Sequence, residues 1–127
     1  NMEYGFITID TDDVVELIES DKEDFTLEEL YKYSDCDCIQ IIRTGKHAKL
    51  ITKGEKLMVI DDEGKLKYKP INKVATALYE PKYDCIVGKA VIGVNNPFRE
   101  PDIYKMPLFE AKGVYDQICA FRDYLKR

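Results

Sequence analysis

Nucleophilic or metal chemistry in this 127-residue sequence would have to come from four cysteines, one histidine and two serines. Cys36, Cys38, Cys85 and Cys119 could supply four thiolates to a tetrahedral zinc site. Structural zinc ligands come as two closely spaced pairs, whereas Cys36 and Cys38 are one residue apart and the others stand alone. The spacing favours free thiols, buried or partly buried, and no metal is expected. His47 lies between Lys46 and Lys49 in an expected loop with no Ser or Cys beside it, so an exposed ring is favoured over a general base. Neither Ser20 nor Ser34 sits in a G-x-S-x-G elbow. G-x-x-x-x-G-K-[ST] and G-x-G-x-x-G are absent, and no cofactor is expected. Asp61, Asp62 and Glu63 crowd three carboxylates together, but Asp side chains that start a turn explain them without an ion.

Asn72 and Thr76 fall four residues apart, on one side of a short expected helix, and with Tyr79 they could line a small polar pocket. The competing explanation is a helix cap plus a hydroxyl bonded back to the preceding turn. Asn72, Thr76 and Tyr79 are the candidate binding residues, and no catalytic residue is assigned. Nine tyrosines, among them Tyr31, Tyr33, Tyr104, Tyr115 and Tyr124, could give an aromatic contact surface.

The elements that must position these residues follow from periodicity and punctuation. Tyr4 to Ile9 reads as a first strand ending at Asp10, Asp12 and Asp13, and Asp12 or Asp13 could cap a short helix carrying Val14, Val15, Leu17 and Ile18. Thr26 with Glu29 has capping-box spacing before Leu27 and Leu30. Cys38 to Arg43 reads as an inner strand, because Ile39 and Ile41 lie on one face and Ile42 on the other. Lys49 to Thr52 and Leu57 to Ile60 look like a hairpin, with Leu57 to Ile60 pairing again with Leu66 to Tyr68 across a turn in which Gly64 is left-handed. In that arrangement Lys65, Lys67 and Lys69 alternate along a protected edge. Asn72 caps a helix from Lys73 to about Tyr79, closed by Pro81. Cys85 to Val94 is a candidate central strand with interruptions at Gly88 and Gly93, and Asn95 to Pro107 reads as irregular. Val114, Ile118, Phe121 and Leu125 form the stripe of a C-terminal amphipathic helix.

The ordered set Leu57 to Lys67, then Pro70, Asn72 and Ala75-Thr76-Ala77-Leu78-Tyr79, then Asp84 to Val91, resembles a bacterial and phage family. That family is catalogued only as a domain of unknown function, number thirty-eight forty-six. It has no established activity or catalytic residues, so the resemblance implies only an accessory protein of a phage, plasmid or conjugative element. Residues 2–94 would be the family-like core and residues 95–127 a C-terminal extension carrying the helix.

Composition sets the frame. The chain is 45% apolar and 34% charged, with no low-complexity stretch, which predicts one domain over residues 2–127. Asn1 reads as a residue left by tag removal before Met2. With no apolar run of membrane-spanning length and no leader, a cytoplasmic protein is expected. The net charge of −5 conceals a division: residues 1–30 hold eleven acids and one base, a balance of −10, and the remainder stands at +5. The bases of the middle segment are nearly all lysine and no nucleic-acid-binding motif accompanies them, which argues against direct DNA binding. The expected fold is α+β, a mainly antiparallel sheet of about five strands with helices packed on one face. The expected function is a non-enzymatic interaction protein whose partner is another protein or a second copy of itself. The alternative is a small-ligand binder with its pocket near residues 73–79.

Overall fold

The computed structural model describes residues 1–81, 83–96, 98 and 103–127. Strands β1 (Tyr4–Ile9), β2 (Val15–Ser20), β3 (Ile39–Arg43), β4 (Leu57–Asp61) and β5 (Ala90–Asn95) form an antiparallel sheet in the order β2-β1-β5-β4-β3. Helices α1 (Leu27–Ser34), α2 (Lys49–Thr52), α3 (Lys73–Leu78) and α4 (Leu108–Leu125) complete the expected α+β architecture. Two short strands, β6 (Ile103–Tyr104) and β7 (Met106–Pro107), pair antiparallel with β5 and β1 respectively. Since β1 and β5 themselves run antiparallel, one straight strand could not serve both, so the chain bends at Lys105. The expected irregular stretch from Asn95 to Pro107 is therefore partly strand, while Pro97 and Pro101 lie outside the described residues.

The helices pack on both faces of the sheet and not on one as expected, so the three inner strands are buried on both sides. Ile7, Ile9, Met58, Ile60, Ala90 and Ile92 point to the face covered by α2, α3 and α4. Phe6, Val59 and Val91 point to the other, where Leu30 of α1 and Ile103 close a smaller cluster. Gly93 in β5 permits the close crossing of β6, since a Cβ there would lie 2.6 Å from the Tyr104 carbonyl oxygen.

Four further expectations fail, each for a tertiary reason. The segment after Asp13 is strand β2, not helix. Asp10 Oδ1 accepts the N–H groups of Asp12 and Val14 at 2.8 and 2.9 Å, and Asp13 takes φ 65°, so the acidic cluster closes a β1–β2 hairpin. Lys49–Thr52 is helix α2, fixed by the burial of Ala48 and by the Thr52 hydroxyl donating to the Ala48 and Gly54 carbonyls. Residues 62–69 form a run of turns and do not pair with β4, whose two neighbours are β3 and β5. The left-handed residue is Tyr68 at φ 57°, not Gly64. Finally, β3 is an edge strand. Its apolar faces gave it an inner-strand pattern, yet only β4 pairs with it among the described residues.

The helix boundaries follow their local signals more closely. Thr26 caps α1 in a full capping box with Glu29, and Asp35 ends the helix at φ 55°. The stripe on α4 is buried at Ala111, Val114 and Ile118, while Phe121 only flanks the core and Leu125 is exposed. No described helix is long and apolar enough to cross a membrane.

Candidate functional site

The three candidate binding residues end up in different roles. Asn72 is fully buried. Its Oδ1 accepts the Ala75 N–H at 3.0 Å, and its Nδ2 donates to the Ile9 carbonyl at 2.9 Å and the Gly88 carbonyl at 3.0 Å. The side chain therefore caps α3 and ties it to β1 and to the segment before β5. The Thr76 hydroxyl accepts the Ile86 N–H at 2.8 Å and donates to the Ile86 carbonyl at 3.3 Å, substituting for a strand partner. Tyr79 lines a cleft of about 140 Å3 shared with Gln40, Asp62, Lys65, Asp84 and Cys85, a lining that includes neither Asn72 nor Thr76. An ion pair between Lys65 and Asp84 closes its rim, holding the carboxyl below its ordinary range and the ammonium above it.

The acidic turn is organised by one member. Asp61 is buried, and its Oδ1 accepts the Glu63 N–H at 2.8 Å as turn chemistry requires. Its Oδ2 receives the ammonium groups of Lys67 at 3.1 Å and Lys69 at 2.8 Å. Burial pushes the carboxyl up, but Lys69, the Glu63 N–H and Lys67 together hold it below its ordinary value. Lys67 and Lys69 thus neutralise a buried carboxylate and do not guard a strand edge; Lys65 belongs to the cleft.

The residues considered for catalysis do not assemble. All four cysteines are free; Cys38 is exposed and the other three are half-buried. Among the described residues no group of three or more His, Cys, Asp and Glu is placed to hold a metal. His47 is exposed in a 3-10 turn, Lys46–Ala48, and its Nε2 donates to the Ala77 carbonyl at 2.9 Å. Ser20 Oγ lies 2.8 Å from Lys105 Nζ, a contact that elsewhere could join nucleophile and base. Here Glu29 accepts from that ammonium with both oxygens, at 2.9 and 3.2 Å, so the contact with Ser20 is part of a structural ion pair.

Two buried lysines had no signal in the sequence. Lys105 is 2% exposed and lies 5.4 Å from the Phe25 ring centre and 5.9 Å from that of Phe6, fixing α1 to the strand bend. Lys56 donates to the Lys53 carbonyl at 2.8 Å, with Glu110 at 4.0 Å. Burial lowers the pKa of its ammonium and Glu110 only partly restores it.

An unsealed apolar stretch of surface lies between α1 and β3. Phe25, Leu27, Leu30, Ile39, Ile41 and Ile103 line a groove of about 180 Å3, with Leu27 55% and Ile41 40% exposed. Beside it runs the side of β3 that no described strand pairs. The Cys38 carbonyl accepts from Asp62 N at 2.8 Å and Thr44 N donates to the Lys56 carbonyl at 2.9 Å, so even-numbered residues of β3 face β4. Ile39 and Ile41 then direct their N–H and C=O groups outward. Past them the edge is closed, since Glu80 N donates to the Arg43 carbonyl at 3.3 Å and Gly45 N to the Leu78 carbonyl at 2.8 Å. The opposite edge, β2, exposes Glu16 and Glu19.

Fold and surface together define a small α+β sheet protein with one charged edge and one apolar edge that is open among the described residues. The chain matches no family model, no curated protein and no solved structure.

Proposed function

We propose that this chain is a non-enzymatic accessory protein that acts by binding another protein chain through the α1–β3 face. One observation carries the reading: a strand with apolar side chains on both faces lies at a sheet edge, with outward backbone groups at Ile39 and Ile41 and an apolar groove alongside. Sheet edges are ordinarily blunted by charge, proline, bulges or a covering element. An edge left open beside an apolar groove suits strand addition, in which main-chain hydrogen bonds give affinity and alternate side chains give specificity. The resemblance of residues 57–91 to the uncharacterised bacterial and phage family supports an accessory role in a bacterial cytoplasm, among genes of mobile elements.

A photo-cross-linking residue at Ile41, compared with one at Glu16 on the charged edge, tests this in cells that express the protein. Protein adducts formed from position 41 and not from position 16 are expected. Equal yields from both positions would defeat the reading.

A second reading, binding of a small polar ligand, draws on the cleft beside Tyr79 and Lys65. Its volume of about 140 Å3 limits it to a ligand of a few heavy atoms, well below the cavities that take drug-sized molecules. A thermal-shift screen of small anions and polar metabolites, read against Tyr79→Phe, addresses it. A shift shown by the native chain and lost in the variant supports it, and no shift across the screen rejects it.

A further inference from the structure

We propose that the cavity between the β1–β2 turn, α3 and the C-terminal end of α4 is an anion site whose ligand is hydrogenphosphate, an oxyanion that carries its own hydroxyl. Asp13, Lys73, Val74, Arg122, Leu125 and Lys126 line a space of about 320 Å3. None of them belongs to the α1–β3 groove or to the Tyr79 cleft, so the site is independent of both readings above. Three features of the lining point to such a ligand. Asp13, at φ 65° in the turn, has no donor to either carboxylate oxygen among the described residues, and its Oδ1 is buried from solvent as well. A buried carboxylate oxygen without a donor is costly, and native chains keep few of them. Arg122 donates through Nε to Asp123 Oδ1 at 3.0 Å and through Nη1 to the Asp13 carbonyl at 3.4 Å; among the described residues its remaining N–H groups are open. Lys73 and Lys126 are exposed, and neither has an ion-pair partner among the described residues, Asp13 included.

Cations alone would take any anion, and the carboxylate among them decides which. An oxyanion without a proton sets an oxygen against Asp13. The P–OH group of hydrogenphosphate instead donates to that carboxylate, while its other oxygens accept from the Arg122 guanidinium and the two ammonium groups. Because no hydrogen bond holds the Asp13 carboxyl, it turns toward such a donor without breaking one. An ammonium donor, as on an amino acid, would answer Asp13 but face three cations. Charge narrows the class further: three cations against one carboxylate leave the lining at +2, the complement of a dianion, whereas hydrogencarbonate and simple hydroxy acids carry a single charge. Asp123 meets Arg122 from outside the lining with a side chain 64% exposed, where solvent screens it. The last carbonyls of α4, which would repel an anion, are answered within the chain: Lys126 N donates to the Asp123 carbonyl at 3.3 Å and Arg127 N to that of Tyr124 at 3.2 Å.

Isothermal titration of the full chain at mildly alkaline pH is the test, with inorganic phosphate, sulfate and methyl phosphate at matched ionic strength. Phosphate is then a dianion that keeps one hydroxyl and sulfate a dianion with none. Methyl phosphate has lost its proton too, since monoesters do so near pH 6. Equal charge isolates the donated hydrogen bond, and the ester arm separates free phosphate from phosphorylated compounds. Phosphate is expected to bind saturably and roughly 10- to 100-fold tighter than the other two, the factor that one hydrogen bond to a charged group supplies. Asp13→Asn keeps a residue that tolerates the left-handed turn and offers an amide N–H to any oxyanion, so the phosphate and sulfate affinities should converge. Lys126→Gln, at an exposed side chain, should weaken phosphate and sulfate by similar factors and leave their ratio unchanged. A far-ultraviolet circular dichroism spectrum matching the native one shows that each variant is folded. The proposal is overturned by the absence of saturable phosphate binding, or by sulfate or methyl phosphate binding to the native chain as tightly as phosphate. It is equally overturned if folded Asp13→Asn keeps the native ratio, or if Lys126→Gln moves that ratio as far as Asp13→Asn does.

Discussion

Replacing Asn72 by alanine separates a structural role from a binding role at the candidate site. The native side chain makes three hydrogen bonds inside the protein, to Ala75 N, the Ile9 carbonyl and the Gly88 carbonyl, and it is fully buried. Loss of the cap costs about 1 kcal/mol. Two buried carbonyls losing their donor cost roughly 1 to 3 kcal/mol each, toward the low end where a water can enter the vacated volume. The expected destabilisation is therefore about 3 to 4 kcal/mol, a fall of roughly 10 to 15 °C in Tm for a chain of this size. Equilibrium urea unfolding measures it, with an unchanged m-value to show that the denatured state is not what moved. Asn72→Ser keeps an oxygen for Ala75 N but cannot reach either carbonyl, so it should recover only about 1 kcal/mol of the loss. Asn72→Asp keeps the cap as well and sets a carboxylate against two carbonyl oxygens, so it should fare no better than alanine. A loss below about 1 kcal/mol in the alanine variant would refute the reasoning, because it would mean that the tie between α3, β1 and Gly88 holds without this residue.

Three further outcomes follow from the buried charges and the thiols. Asp61→Asn should cost about 2 to 3 kcal/mol at neutral pH, since Lys67 and Lys69 lose a buried counterion but can partly rehydrate. Because the folded-state pKa of Asp61 lies below its ordinary 3.8, its contribution is present above that value and lost as pH falls through the folded value; the native and variant stability curves should converge in acid. Glu29→Gln preserves the capping box and leaves the Lys105 ammonium buried without its counterion, a cost of about 3 kcal/mol in urea unfolding; adding Lys105→Met should regain much of it, since an apolar side chain carries no desolvation penalty. Partial desolvation and the carboxylates of Asp62, Glu63 and Asp37 raise the pKa of the Cys38 thiol, so Asp62→Asn should accelerate its reaction with an aromatic disulfide reagent at fixed mildly alkaline pH.

What could be read from the sequence was what short-range chemistry determines. The Thr26–Glu29 box and the Asn72 cap each lie within a few residues of the groups they act on and appear where their patterns predict, and the α4 stripe holds at Val114 and Ile118 but not at Leu125. The segment carrying Val14, Leu17 and Ile18 fits a helical repeat as well as a strand, and Asp10 decides for the strand by closing the hairpin. Asn72 was legible as a cap, but its bond to Ile9, 63 residues away, was not. Lysines 56 and 105 look like surface residues to any composition-based reading. Only the sheet and its covering helices reveal that one ammonium is held by a main-chain carbonyl and the other by a carboxylate and aromatic rings.

The charge division acquires a location on this fold. Of the eleven acids of residues 1–30, Asp10, Asp12, Asp13, Glu16 and Glu19 lie on the β1–β2 hairpin at one edge of the sheet, whereas Glu28 and Glu29 open α1, which packs against β5, β4 and β3. Two carboxylates, Glu16 and Glu19, stand exposed on that edge, where strand addition by another copy would meet like charge. Among the described residues the β3 edge has neither guard nor cover at Ile39 and Ile41, and its sequence is that of a strand with neighbours on both sides. The inner-strand pattern of β3 and the exposed carboxylates of β2 are then two signs of one arrangement. Charge closes the first edge to pairing, and apolar composition keeps the second available for it.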